Sequence, residues 1–132
     1  MAVVNLQICD WQGVSYQETN IDDPTWEQIS MAIQELNNEN RNDLYLTTDT
    51  DTWLGIGGGV GQYLLTGENG DDIFPTLVDP RKKTEPRIYL TVGGQIGDFP
   101  ANWIHDLVQT LEAAHDFYEN DGYSVNLNWV NS

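Results

Sequence analysis

The sequence predicts an α+β domain: a mainly antiparallel twisted sheet of about six strands with two helices packed on one face. Two stretches carry large apolar residues at helical spacing, Trp26, Ile29, Ile33 and Leu36 in the first and Trp103, Ile104, Leu107, Val108, Leu111, Ala114 and Tyr118 in the second. Short β-branched and aromatic runs separated by turn residues lie before, between and after them, giving the order β, α, several β, α, β. The chain of 132 residues has the length of one domain, 1–132, and can bury a core without disulfide or metal support.

Taken in order, "AVVNLQI" (Ala2 to Ile8) reads as a strand and "DWQG" as the turn that follows it. In "DDPTWEQISMAIQELNN", Asp23 can cap and Pro24 suits the first helical position, which predicts a helix from Pro24 to about Asn37. "LYLTT", "TWLGIG" and "GQYLLTG" predict consecutive strands joined by tight turns. "IFPTLVD" is a strand that Pro75 would confine to an edge, "PRKKTEP" a basic hairpin tip or loop, and "RIYLTV" a strand. The second helix is expected to start near Pro100, with Asp98 as its cap or as a charge favourable to its dipole, and to stop at Gly122. The alternation of Val125, Leu127 and Trp129 with polar residues predicts a final half-buried strand.

Charge restricts the function. Twenty-one Asp and Glu face five Lys and Arg, for a formal net charge of -16. Four of the five cations, Arg81, Lys82, Lys83 and Arg87, sit in one short window, so the rest of the surface is strongly negative. Such a balance argues against nucleic acid as a direct ligand and suits either a solvated surface or a basic protein partner. The start of the chain has no basic leader, and no run of about 18 apolar residues occurs, so neither a secretion signal nor a membrane span is expected and the protein reads as cytoplasmic. The single cysteine, Cys9, reads as a core residue.

The glycine-rich segment "WLGIGGGVGQYLL" poses the question of a phosphate loop. It runs into a strand, carries no cation and misses the G-x-G-x-x-G spacing, so the glycines are expected to shape a bent hairpin. "TTDTDTW" and "GENGDD" bring together Asp49 and Asp51, and Glu68, Asp71 and Asp72, but neither completes a calcium loop. Glu112 and His115 form a single E-x-x-H, where a di-iron bundle needs two. His105 and His115, read as two positions of one helix, point apart and are expected at a surface or helix edge. No G-x-S-x-G, Cys–His or H-E-x-x-H signature occurs, so no catalytic residue, metal or cofactor is predicted.

"DPTWEQISMAIQEL", "LGIGGGVGQYLL", "YLTVGGQ" and "LEAAHDFYENDG" ahead of "LNW" together resemble the first immunity-protein family of bacterial polymorphic toxin systems, over about Pro24 to Trp129. The resemblance implies a cytoplasmic protein that binds and neutralises a cognate toxin domain, often a nucleic-acid-modifying enzyme such as a nuclease or deaminase. It places Gly58, Gly59, Gly93, Gly94, Gln95 and Trp129 at scaffold positions and leaves the contact surface open. The acidic balance fits a basic toxin, which Asp49, Asp51, Trp53, Glu68, Asp71 and Asp72 are expected to meet. Trp11 and Trp53, beside turns, are candidate anchors, with core packing as their alternative. A small acidic scaffold or regulatory protein-binding module is the second reading of the same features.

Overall fold

A computed structural model describes residues 3–70 and 72–132. Among these, the elements run β1 (Val3–Gln12), β2 (Ser15–Asp22), α1 (Trp26–Gln34), β3 (Asp43–Thr48), β4 (Trp53–Gly59), β5 (Gln62–Glu68), β6 (Pro75–Leu77), β7 (Ile88–Val92), β8 (Gln95–Phe99), β9 (Ile104–His105), α2 (Leu107–Glu119) and β10 (Trp129–Asn131). Eight strands form one sheet in the order β10-β6-β5-β4-β3-β1-β2, with β9 beside β6 on the outer edge of β5. The hairpin β7–β8 is a second, two-stranded sheet. All pairings are antiparallel, and the fold is α+β as expected, with more than the expected six strands.

Alternation along the strands explains the layers. Leu6, Leu44, Leu46, Leu54, Ile56 and Leu65 stand in cross-strand register on one face, and both helices contribute to the same buried cluster, Ile29, Ala32 and Ile33 from α1 and Ala113, Ala114 and Phe117 from α2. The opposite face is partly covered by the β7–β8 hairpin, whose Leu90 packs with Leu64 and Ile104. Each helix opens with a reciprocal capping box: Thr25 with Gln28, and Asp106 with Gln109.

Several boundaries differ from expectation for identifiable reasons. The first strand runs through Asp10 and Trp11 to a turn at Gly13, and a second strand follows, β2, which is polar and almost wholly exposed and so carries no apolar alternation. Thr25, not Asp23 or Pro24, caps α1, because its hydroxyl accepts from the Gln28 N–H at 3.2 Å. Asp98 caps nothing: it lies in β8 and ion-pairs with Arg87 at 2.9 Å. Trp103 and Ile104 belong to a 3₁₀ turn and β9 rather than to α2, which begins after Asp106. His105 is therefore a buried strand residue and not a helix-edge one, its Nε2 within 2.9 Å of the Leu77 carbonyl, and burial lowers its pKa. Pro75 opens β6, which is not an edge strand, since β10 pairs beyond it. The final strand is only Trp129–Asn131, and Val125 is fully exposed.

Candidate functional site

The face of the sheet away from the helices is assembled from the other half of each strand's alternation. Cys9, Asp43 and Gly57 form one cross-strand row, Gln7, Tyr45 and Gly55 the next, and Thr47, Trp53 and Glu68 a third. Trp11 and Tyr16 are paired across the β1–β2 hairpin, with ring centroids 4.6 Å apart. The β7–β8 hairpin leaves an open cavity of about 430 Å³ on this face, bounded by these aromatic rings, by Gln7, Cys9 and Asp43, and by Gly93 of the hairpin turn.

Glycines determine what fits here. A Cβ on Gly55 would lie 3.1 Å from the Tyr45 ring and 3.2 Å from the Trp53 ring, so the two rings, packed edge to face at 5.8 Å, lie across that bare backbone. A Cβ on Gly94 would lie 2.5 Å from the Trp11 indole, which brings the hairpin turn against the cavity wall. Asn42 and Asn38 hold that turn in place, accepting from the N–H groups of Gly94 at 3.1 Å and Thr91 at 2.7 Å. Gly58 and Gly59 bend the end of β4 with φ of 98° and 136°; Gly58 leaves room for the Gln62 carbonyl across the hairpin, and Gly59 for the backbone of Leu36 and Asn37, which pairs there. The expected hairpin is present, and it turns at Val60 and Gly61 into β5.

Asp43 is 2% exposed. Its carboxylate accepts from the Trp11 indole N–H at 2.8 Å and from the Tyr45 hydroxyl at 2.5 Å, and no ion pair reaches it among the described residues. Burial first, then the bond to Asp43 and its charge, pushes the Tyr45 hydroxyl pKa far up. The charge of Glu18 raises that of exposed Tyr16, and burial raises that of the Cys9 thiol. Trp53 also donates to a carboxylate, that of Glu68, at 3.3 Å. Four of the five cations are engaged elsewhere: Arg41 with Asp10 and Glu35, Arg81 with Asp79, Arg87 with Asp98, and Lys82 with the Ile104 carbonyl.

Of the residues expected at a contact surface, Trp53 and Glu68 stand side by side at this face. Asp49 and Asp51 are exposed in the β3–β4 turn and Asp72 is exposed in the β5–β6 loop, both at the sheet end where Trp53 pairs with Glu68. Asp71 lies outside the described residues. Gly93 and Gly94 form the β7–β8 turn, and exposed Gln95 opens β8. Trp129 is distant in sheet order, packed edge to face on Tyr123 at 4.7 Å. Trp11 and Trp53 are half-buried, with the cavity on one side. Sequence reasoning missed Tyr16, Asp43 and Tyr45. The signal was the alternation in "DLYLTT", whose polar side carries Asp43 and Tyr45.

Among the described residues no group of three or more His, Cys, Asp or Glu gathers to hold a metal ion, and no helix is long and apolar enough to cross a membrane. Comparison with curated proteins and with solved structures finds no match. The model of a protein family, immunity protein Imm1, matches residues 17–131, a span that includes Asp43, Tyr45, Trp53, both helices and the glycine turns. With nearly its whole length matched, the chain belongs to the Imm1 family of immunity proteins.

Proposed function

We propose that this immunity protein neutralises a basic toxin domain by stoichiometric occlusion in the cytoplasm, without turnover, using the sheet face opposite the helices and the acidic turns at its end. The observation that carries the reading is the pairing of that open, aromatic-lined face with a chain whose 21 acids outnumber its 5 cations. Carboxylates at the rim steer a positively charged partner, and half-buried rings supply the desolvated centre where binding energy concentrates. Trp53 and Glu68 join the two regions, since they belong both to the aromatic face and to the end that bears Asp49, Asp51 and Asp72. A toxin whose own groove is positive, such as a nuclease or nucleic-acid deaminase, is the partner this charge pattern favours.

The experiment uses the product of the gene immediately upstream. Titration calorimetry is expected to give a one-to-one complex, with toxin activity falling in proportion to the immunity protein added. Absence of a complex, or toxin activity that persists at saturation, overturns the reading.

A further inference from the structure

We infer that the cavity on the open sheet face is a receptor for one arginine side chain of the partner, a conclusion that rests on the occlusion reading for its biological role. Four rings wall the cavity: Trp11, Tyr16, Tyr45 and Trp53. Three of them donate their polar hydrogen to a carboxylate, Trp11 and Tyr45 to Asp43 and Trp53 to Glu68. A ring bonded in this way gains electron density, which deepens the negative potential of its face. Among the described residues no Lys or Arg lines the cavity.

Asp43 points to the sign of the occupant. A carboxylate that is 2% exposed and, among the described residues, held by two neutral donors with no ion pair is a buried charge short of compensation. A cation entering the cavity offsets it through the field, even where the rings stand between the two. Guanidinium suits the space better than ammonium: it is planar, stacks on indole and phenol faces, sheds water more readily, and keeps donors at its edge for the Asp43 carboxylate and the Gln7 amide oxygen. The apolar stem of the side chain has Cys9 and Gly93 to lie against.

The test is a titration of the isotope-labelled full chain with the peptide acetyl-Gly-Arg-Gly-amide, followed by the indole N–H signals of its five tryptophans. The signals of Trp11 and Trp53 should shift and saturate while that of Trp129 stays put. Replacing arginine by citrulline, its neutral isostere, should weaken binding at least about five-fold, and lysine should bind more weakly than arginine. Asp43→Asn should weaken binding about ten-fold; Tyr16→Leu, at an exposed position of the edge strand β2, should weaken it about three-fold. No shift up to roughly 20 mM peptide, or equal binding of the citrulline or lysine peptide, overturns the inference. The toxin separates this from the functional reading. A neutralising complex that leaves the Trp11 and Trp53 signals unmoved overturns the arginine site and the use of this face, while neutralisation by occlusion stands. Arginine-specific shifts with a toxin that is not neutralised overturn the occlusion reading alone.

Discussion

Gly57 faces Val92 across the two layers of the open face: a Cβ on Gly57 would fall 2.6 Å from one Val92 methyl and 2.8 Å from the other. The contact seats the β7–β8 hairpin on the main sheet and so sets the depth of the cavity beside it. Gly57 does not adopt a positive φ, so its need for glycine is one of space and not of conformation. Gly57→Ala should therefore cost about 1–3 kcal/mol by overpacking. Val92→Ala, which makes the space, should recover part of that loss in the double variant, with a coupling of at least about 0.5 kcal/mol. Additive losses in urea unfolding would show that the two residues do not oppose one another.

Val60 illustrates the opposite case. It sits in the β4–β5 turn at φ 56°, followed by Gly61 at 84°, and its side chain is 77% exposed. Two successive positive φ values are the geometry of a tight hairpin turn that prefers Asn-Gly, and a β-branched residue is strained there. Val60→Asn should stabilise the protein by about 1 kcal/mol, because it relieves the strain and gives up almost no buried area. An unchanged or lowered urea midpoint would contradict this.

Asp79 accepts from the Arg81 backbone N–H at 3.0 Å, from the Arg81 guanidinium at 3.1 and 3.2 Å, and from Gln109 of α2 at 3.2 Å. The side-chain bond to Arg81, followed by the backbone bond, holds its carboxyl well below the usual carboxylate range. A depressed folded-state pKa means that the stabilisation is present above the unfolded value of 3.8 and is lost as pH falls below it. Wild type should thus exceed Asp79→Asn in stability at neutral pH, with the difference shrinking between roughly pH 5 and pH 2. A difference independent of pH would assign the loss to packing.

How much of this was legible follows from what each segment buries. The helices and the strands β3, β4 and β5 could be read because each sends apolar residues to one core; Leu44, Leu46, Leu54 and Ile56 keep the period of a strand. Strand β2 could not, because "SYQETNID" is exposed on both sides and is held by its ladder to β1 rather than by burial. The β7–β8 hairpin hid behind the expectation that a helix starts near Pro100 with Asp98 as its cap, whereas Asp98 lies in β8 and Asp106 supplies the actual cap. The aromatic face was half visible. Trp11 and Trp53 stand out in the sequence by type, but their meeting with Tyr16, Asp43 and Tyr45 depends on strand order, which no local pattern carries.

The role of the exposed acids can be tested without disturbing the fold. Asp51 and Asp72 have φ of 62° and 59°, the left-handed region in which Asn is among the best tolerated residues, and Asp49 is an exposed turn residue. Asp49→Asn, Asp51→Asn and Asp72→Asn therefore remove charge and leave the backbone preference intact. If these turns steer a basic toxin, association of the wild type should approach about 10⁸ M⁻¹s⁻¹ at low salt, against about 10⁵ to 10⁶ for docking without steering. Raising salt from roughly 20 mM to 500 mM shortens the Debye length several-fold and should slow association. The triple variant should associate more slowly and with a flatter salt dependence, and its dissociation rate should change less. Trp53→Ala, which removes a ring of the cavity wall, should do the reverse, chiefly raising the dissociation rate. Stopped-flow association across that salt range decides the matter: a wild-type on-rate indifferent to salt would mean that the charge of -16 does not guide the encounter, and Asp49, Asp51 and Asp72 would then be turn residues only.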